Sequence, residues 1–127
     1  MSDIVVIDDN ESTQAMLRAF CAERGRTIAT CTKGAEAFDL VLREQPRLVF
    51  LDIWLETRTT GWEILERLKE SPATRHIPVV LASAWRDDLQ DHRPLIAESA
   101  AAVLVKPFSI EDVDRCLDFA LTGTPGT

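Results

Sequence analysis

The sequence contains few of the residues that mark disordered, fibrous or membrane-spanning proteins. Only 5 glycines and 6 prolines occur in 127 residues, while 46% of the residues are hydrophobic and 28% are charged. This composition excludes collagen-like, low-complexity and intrinsically disordered chains. No apolar run approaches the length of about 18 residues that a membrane-spanning helix needs. We therefore expect one globular domain with its own hydrophobic core.

Cysteine is scarce and shows no pattern of a metal or redox site. Cys21, Cys31 and Cys116 are odd in number, far apart in the chain and set in apolar stretches. None of them forms the CxxC pairing that zinc and redox sites use. We expect three buried free thiols in a protein of a reducing compartment.

Basic residues are fewer than acidic residues. The chain has 14 lysines and arginines against 21 aspartates and glutamates, a formal net charge of −7. Such a surface repels phosphate backbones and anionic lipids, so we expect no direct contact with nucleic acid or with a membrane. The N-terminus reads MSDIVVIDD and lacks the basic start and long apolar stretch of a signal peptide. We expect a cytoplasmic protein without an anchor.

Short apolar runs alternate with longer amphipathic segments along the chain. The runs are continuous rather than alternating in polarity, which is typical of parallel strands buried on both faces of a sheet. The alternation predicts an α/β fold: a parallel sheet with right-handed crossovers and helices on both faces. The predicted strands cover residues 4–7, 27–31, 48–53, 79–82 and 102–105.

Glycine, proline and capping residues bound the predicted helices. Gly25 ends the first helix, and Pro46 prevents the second from continuing. Pro94 interrupts a polar segment, so we expect the fourth helix to be short, kinked or late to begin. The predicted helices cover residues 12–24, 34–44, 62–70, 86–99 and 110–121, and the apolar residues expected to face inward include Leu42 in the second and Ile110 in the fifth.

Reactive side chains follow the apolar runs. In an open doubly wound sheet, ligands bind at the carboxyl ends of the strands. Clustered carboxylates repel one another and need a cation to remain ionised, and oxygen ligands of this kind suit Mg²⁺. The residues at these ends are Asp8 and Asp9 after the first run, Asp52 at the third, Ser83 after the fourth and Lys106 after the fifth.

This set of side chains contains the parts needed to accept a phosphoryl group. Lys106 supplies a positive charge for an incoming anion, and the Ser83 hydroxyl can donate a hydrogen bond to it. Because phosphoryl transfer depends mostly on positioning and charge neutralisation, Asp52 is predicted to be the nucleophile. Simpler roles are also open: Asp8 and Asp9 as helix caps, Ser83 as a turn residue and Lys106 as a solvated charge.

Four motifs at the strand ends, IVVIDDN, LVFLDIW, PVVLASA and VLVKPF, carry a family resemblance. In this order and spacing they resemble the receiver domain of bacterial two-component response regulators, of the chemotaxis-receiver type, over residues 4 to about 121. The resemblance implies a flavodoxin-like (βα)5 fold, a doubly wound five-stranded parallel sheet with strand order 2-1-3-4-5. It also implies a receiver domain over residues 1–121 and a flexible C-terminal tail over residues 122–127.

The resemblance implies a phosphorelay role for the site. Asp52 would accept phosphate from a histidine kinase or a histidine phosphotransfer protein, and the chain would catalyse only its own phosphorylation and dephosphorylation. A downstream protein or a second copy would bind the fourth and fifth helices. The implied Mg²⁺ ligands are Asp8, Asp9, Asp52 and the main-chain carbonyl of Trp54. The implied phosphoryl contacts are Ser83, the Ala84 amide and Lys106, with a cis bond before Pro107.

The chain departs from the family pattern in two places. The family often has a proline four residues and a glycine eight residues after the phosphoacceptor, but here those positions hold Glu56 and Thr60, with Gly61 one residue late. We expect an altered loop over residues 53–61. Val103 stands where the family commonly has a tyrosine or phenylalanine that turns inward on phosphorylation. The usual aromatic switch is therefore absent.

Three functions remain open on the sequence. A phosphoacceptor receiver agrees with the full set of site residues, whereas Val103 favours a receiver-like interaction module that does not depend on phosphorylation. A Mg²⁺-dependent aspartyl phosphohydrolase is less favoured, because such enzymes usually carry a DxD pair with the nucleophile on the first strand. We expect Trp54 and Trp85 to shield the acyl phosphate. Trp62 and Phe108 are expected to pack in the core or at its edge, and His76 and His92 to lie on the surface.

Overall fold

The computed structural model describes residues 2–55, 60–83, 90–99, 102–106 and 108–122. Five strands and five helices alternate along these residues. The strands are β1 (Ile4–Ile7), β2 (Ile28–Cys31), β3 (Leu48–Asp52), β4 (Val79–Ser83) and β5 (Ala102–Val105). The helices are α1 (Glu11–Glu23), α2 (Gly34–Glu44), α3 (Thr60–Glu70), α4 (Arg93–Ser99) and α5 (Ile110–Thr122).

All five strands pair in parallel in the order β2-β1-β3-β4-β5, as predicted. β1 lies between β2 and β3, so Ile7 is opposite both Cys31 and Leu51. From β1 the chain crosses to β2 at one edge of the sheet, whereas from β3 it crosses to β4 in the opposite direction. A crevice opens at the carboxyl ends of strands at such a point, and it is the usual ligand site of this architecture.

Helices cover both faces of the sheet, which confirms the predicted three layers. Every residue of β1, β3 and β4 is buried, which explains their continuous apolar sequence. Because side chains alternate along a strand, successive residues enter different cores. One core joins the sheet to α2 and α3 through residues such as Val5, Leu51 and Leu65, and the other joins it to α1 and α5.

Local signals bound the helices close to the predicted positions. The Asn10 side chain accepts the Thr13 N–H at 3.0 Å and caps α1, while Gly25 follows the helix with a φ of 69°. Ser109 and Asp112 form a reciprocal capping box at α5, with bonds of 3.1 and 3.2 Å. α4 is seven residues long, as Pro94 suggested. The predicted start of that helix, at residue 86, lies outside the described residues.

Two apolar residues predicted to face inward are exposed. Leu42 is 41% exposed and Ile110 is 44% exposed. Leu42 follows the buried Val41, and a rotation of about 100° per residue carries it past the edge of the buried stripe. Ile110 opens α5 one turn before Val113, the first buried residue of that helix. None of the described helices is long and apolar enough to cross a membrane.

Candidate functional site

Three carboxylates meet at the carboxyl ends of the neighbouring strands β1 and β3. Asp8 and Asp9 directly follow β1, and Asp52 is the last residue of β3. One carboxylate oxygen from each residue lies within 4.8 Å of the other two. Asp8 and Asp52 are buried, at 0% and 5% exposure, whereas Asp9 is exposed. Oxygen donors of this number and charge fit a hard divalent cation that keeps several water ligands.

Hydrogen bonds hold both the main chain and the side chain of Asp8. The Asp8 N–H donates to the Cys31 carbonyl at 3.0 Å, and the Gln14 Nε2 amide donates to the Asp8 carbonyl at 2.6 Å. The Asn10 N–H donates to Asp8 Oδ1 at 2.8 Å. Asn10 also caps α1, so a side chain other than Asp8 fills the capping role that was open on the sequence.

Lys106 bridges the two buried carboxylates. Its Nζ lies 3.2 Å from Asp8 Oδ2 and 3.3 Å from Asp52 Oδ2. The side chain is only 22% exposed, so the alternative of a solvated surface charge is wrong. The Lys106 N–H donates to the Ser83 carbonyl at 2.7 Å. The ends of β4 and β5 are thereby tied together, and the ammonium is directed towards β1 and β3.

The buried charges shift one another's pKa. Burial, and next the charge of Asp8, raise the pKa of Asp52 to about 6, although Lys106 and the Trp54 N–H act in the opposite direction. For Lys106, burial lowers the pKa, but the charges of Asp8 and Asp52 outweigh it and the pKa is raised. Lys106 therefore stays charged at neutral pH. An added cation among these carboxylates would favour the ionised form of Asp52.

The segment after β3 is anchored closely beside Asp52. The Trp54 N–H donates to Asp52 Oδ1 at 3.1 Å, and the Ile53 N–H donates to the Ala82 carbonyl at 2.9 Å. The Gly61 N–H donates to the Ile53 carbonyl at 3.0 Å. A Cβ atom at residue 61 would overlap the Ile53 main chain, so this position requires glycine. Glu56 lies outside the described residues.

Ser83 lies at the same edge of the sheet as the carboxylates. Asp52 is paired with Ala82 in the β3–β4 register, so Ser83 lies one residue beyond that pair. Ser83 is 1% exposed and ends β4. Ala84, Trp85 and Pro107 were also predicted at or near the site, and they lie outside the described residues.

Comparison with known proteins decides the family. Residues 4–118 match the model of the response regulator receiver domain. The chain belongs to this family. This receiver is 33% identical over 110 residues to the response regulator PleD of Caulobacter vibrioides, covering 87% of the chain but 23% of PleD. It spans 47% of the transcriptional regulatory protein HprR of Escherichia coli, again at 33% identity over 87% of the chain.

Shorter relatives match along most of their length. The receiver is 28% identical to the polar-differentiation response regulator DivK of Brucella anthropi, covering 84% of the chain and 85% of DivK. The crystal structure of the receiver domain of NtrX from Brucella abortus superposes with a TM-score of 0.83 at 27% identity. That superposition covers 96% of this chain and 100% of the NtrX domain, in agreement with the flavodoxin-like fold.

Val103 fills its position in the receiver with aliphatic contacts. It is half-buried, lies opposite Leu81 in the β4–β5 register and packs against the same core cluster as the partly buried Leu95 and Ile96 of α4. Trp62 of α3 and His92 form an aromatic pair. His92, expected on the surface, is half-buried and stacks on Trp62 with ring centroids 3.9 Å apart and an interplanar angle of 13°.

Sequence analysis correctly assigned Trp62 to the core but missed Gln14. Trp62 is 5% exposed, and its buried Nε1 has no hydrogen-bond partner among the described residues. Gln14 precedes the buried Leu17 by three positions on α1. Residues three apart share a helix face, so a polar residue in line with an apolar stripe is the signal that could have identified Gln14.

Proposed function

We propose that this receiver accepts a phosphoryl group on Asp52 from a histidine kinase or a histidine phosphotransfer protein. The convergence of Asp8, Asp9 and Asp52 within 4.8 Å, with Lys106 in contact with two of them, carries the proposal. In it, Asp8, Asp9, Asp52 and the Trp54 carbonyl hold Mg²⁺. Membership of the receiver family supports the choice of phosphate donor.

The transfer forms one bond and breaks another. An ionised Asp52 oxygen attacks phosphorus, the P–N bond of the donor phosphohistidine breaks, and the released imidazole nitrogen takes up a proton. Lys106 pairs with the phosphoryl oxygens, and the Ser83 hydroxyl and the Ala84 amide donate to them. Bound Mg²⁺ neutralises charge on the carboxylates and on the phosphoryl oxygens.

Catalysis is limited to the modification of the protein itself. Dephosphorylation is the attack of water on the acyl phosphate, and in this proposal Trp54 and Trp85 restrict the access of that water. In this proposal the receiver domain covers residues 1–121. Thr122, predicted to begin a tail, is the last residue of α5, and residues 123–127 lie outside the described residues. A downstream protein or a second copy reads the phosphorylated state at α4 and α5. Cys21 and Cys31 are buried, whereas Cys116, also expected to be buried, is half-buried. All three are free thiols, which agrees with function in the reducing cytoplasm.

One observation favours a second candidate function. Val103 packs with aliphatic neighbours and offers no aromatic ring to move between buried and exposed positions. A receiver-like module that binds a partner irrespective of phosphorylation would also have this feature. The retained Asp8, Asp9, Asp52, Ser83 and Lys106 are the reason that we favour phosphotransfer.

Phosphorylation of Asp52 is tested by intact mass and Phos-tag mobility after incubation with acetyl phosphate and Mg²⁺. We expect the wild-type protein to gain one phosphoryl group, and to lose that gain when EDTA removes Mg²⁺. Asp52→Asn should gain none. Asp39→Asn, an exposed position on α2, is the matched control and should behave as wild type. A wild-type protein that binds Mg²⁺ but is never phosphorylated would favour the phosphorylation-independent module.

A further inference from the structure

The main-chain carbonyl of Asp8 receives its hydrogen bond from a helix side chain. β1 ends at Ile7, and the Asp8 N–H still continues the parallel pairing by donating to Cys31. The Asp8 carbonyl instead accepts from Gln14 Nε2 at 2.6 Å. Only the amide nitrogen of a glutamine can donate to a carbonyl, so the orientation of the Gln14 side chain is unambiguous.

The Asp8 carbonyl belongs to the peptide unit that joins Asp8 to Asp9. A peptide unit is planar, so a hydrogen bond that fixes the Asp8 carbonyl also fixes the orientation of the Asp9 N–H and the position of the Asp9 Cα atom. The side chain of Asp8 is separately held by the Asn10 N–H and Lys106. Asp9 contributes one of the three carboxylates that lie within 4.8 Å of one another, and the peptide unit that precedes it sets the position of its Cα atom.

We propose that Gln14 is a positioning residue for the cation site: its side-chain amide orients the Asp8–Asp9 peptide and thereby strengthens Mg²⁺ binding. The inference rests on the proposed function, since it concerns the same carboxylates. It adds a residue of α1 that does not itself touch the ion. Gln14 is half-buried and in line with Leu17, so α1 and its packing set the position of the amide.

Two substitutions at residue 14 separate the hydrogen bond from the bulk of the side chain. Gln14→Met keeps the length and the helix propensity but removes the donor. Gln14→Asn keeps the amide but shortens its reach by one methylene. The matched control is Thr30→Val, which removes a different contact between α1 and β2, the 2.6 Å bond from Arg18 Nη2 to Thr30 Oγ1, and leaves the charge unchanged.

Mg²⁺ affinity is measured by isothermal titration calorimetry on each full-length protein. We expect both Gln14 variants to bind Mg²⁺ about threefold to tenfold more weakly, the range that loss of one hydrogen bond produces. Thr30→Val should bind as wild type. In the Mg²⁺-free protein, the ¹³C′ resonance of Asp8 should shift in both Gln14 variants and stay in place in Thr30→Val, a readout that a general loss of stability would not produce.

Wild-type affinity in Gln14→Met, with the Asp8 resonance shifted, would overturn the inference because the bond would be lost without effect on the ion. Equal weakening in Thr30→Val would also overturn it, because general anchoring of α1 would then explain the loss. A wild-type protein that does not bind Mg²⁺ would refute the cation site and this inference together. Mg²⁺ binding without phosphorylation of Asp52 would refute only the phosphoacceptor role.

Discussion

At the carboxyl edge of the sheet, we call the ends of β1 and β3 the inner half and the ends of β4 and β5 the outer half. The two halves differ in how closely their residues match the sequence pattern of the receiver family. At β1 and β3, Asp8, Asp9 and Asp52 lie together and polar contacts from α1 and Lys106 hold them. Toward β4 and β5, Val103 lies opposite Leu81 and packs against the core cluster that contains Leu51 and Leu65. The three carboxylates of the inner half lie together, and Ser83 and Lys106 of the outer half lie at the same edge of the sheet. Val103 is the departure from the family pattern in the outer half, and we expect changes at this position to leave the cation site unaffected.

The largest effect is expected at Asp52, in the inner half. Asp52→Asn removes a buried carboxylate whose pKa is about 6, against an ordinary value of 3.8. At pH 7 in EDTA, we expect the free energy of unfolding to rise by about 2 to 3 kcal/mol. Urea unfolding measures the change, and Asp39→Asn is the control. A less stable Asp52→Asn protein would contradict the repulsive environment assigned to Asp52.

The same variant should change the pH dependence of stability. Because the Asp52 pKa is higher in the folded than in the unfolded chain, the folded state holds the proton more tightly. The stability that this group contributes is complete below about pH 4 and is lost as the pH rises to about 6. Urea unfolding in EDTA across this window should show the decline in wild type and a flatter profile in Asp52→Asn.

The next effect is expected at Gly61, which connects α3 to the inner half. Gly61→Ala would force its Cβ against the Ile53 main chain, and we expect a loss of about 2 kcal/mol in the free energy of unfolding. Mg²⁺ binding should weaken as well, because Ile53 lies between Asp52 and Trp54.

Gly25→Ala is the control for Gly61→Ala. Gly25 has a φ of 69° but open space around its Cβ position, so the cost is about 1 kcal/mol from the left-handed conformation alone. Mg²⁺ affinity should not change. Equal effects of both variants on Mg²⁺ binding would show that Gly61 acts only through overall stability.

Val103→Phe tests the separation of the two halves directly. Added volume against the core cluster on which Val103 packs should lower the free energy of unfolding by about 1 to 2 kcal/mol through overpacking. Mg²⁺ affinity should remain that of wild type. Val105→Phe adds the same volume at a half-buried position outside the two core clusters and is the control. A large change in Mg²⁺ affinity in Val103→Phe alone would show that the halves are coupled.

The smallest effect is expected at the stacked pair Trp62 and His92. His92→Ala should cost about 1 kcal/mol, the range for one aromatic pair, and should shift the NMR resonance of the Trp62 indole N–H. His76→Ala, at an exposed position, should change neither quantity. An unshifted indole resonance in His92→Ala would contradict the stacking.

Sequence patterns predicted the strands in proportion to their burial. β1, β3 and β4 are buried along their whole length, and each appears as a continuous apolar run. β2 is an edge strand with three half-buried residues, and the polar Thr30 interrupts its apolar sequence. The cap of α5 was also readable, because Ser109 and Asp112 are three residues apart and bond to each other.

Patterns along the chain could not predict contacts between distant elements. His92 stacks on Trp62 across thirty residues of sequence, and neither residue belongs to a motif that announces the other. Leu42 and Ile110 are apolar like core residues, yet both side chains are exposed. Burial at such positions depends on where the sheet and the adjacent helices end.

The order of apolar runs, the reactive residues after them and the local caps are properties of the linear chain. They predicted a parallel α/β sheet and selected Asp8, Asp9, Asp52, Ser83 and Lys106 as candidate site residues, and the resemblance of four motifs to the receiver family supplied the strand order. Folding was needed to bring the Lys106 ammonium into contact with Asp8, 98 residues away, and to place the Gln14 amide on the Asp8 carbonyl. Hydrogen bonds and ion pairs depend on distances of a few ångströms, and only the packed sheet and helices set those distances.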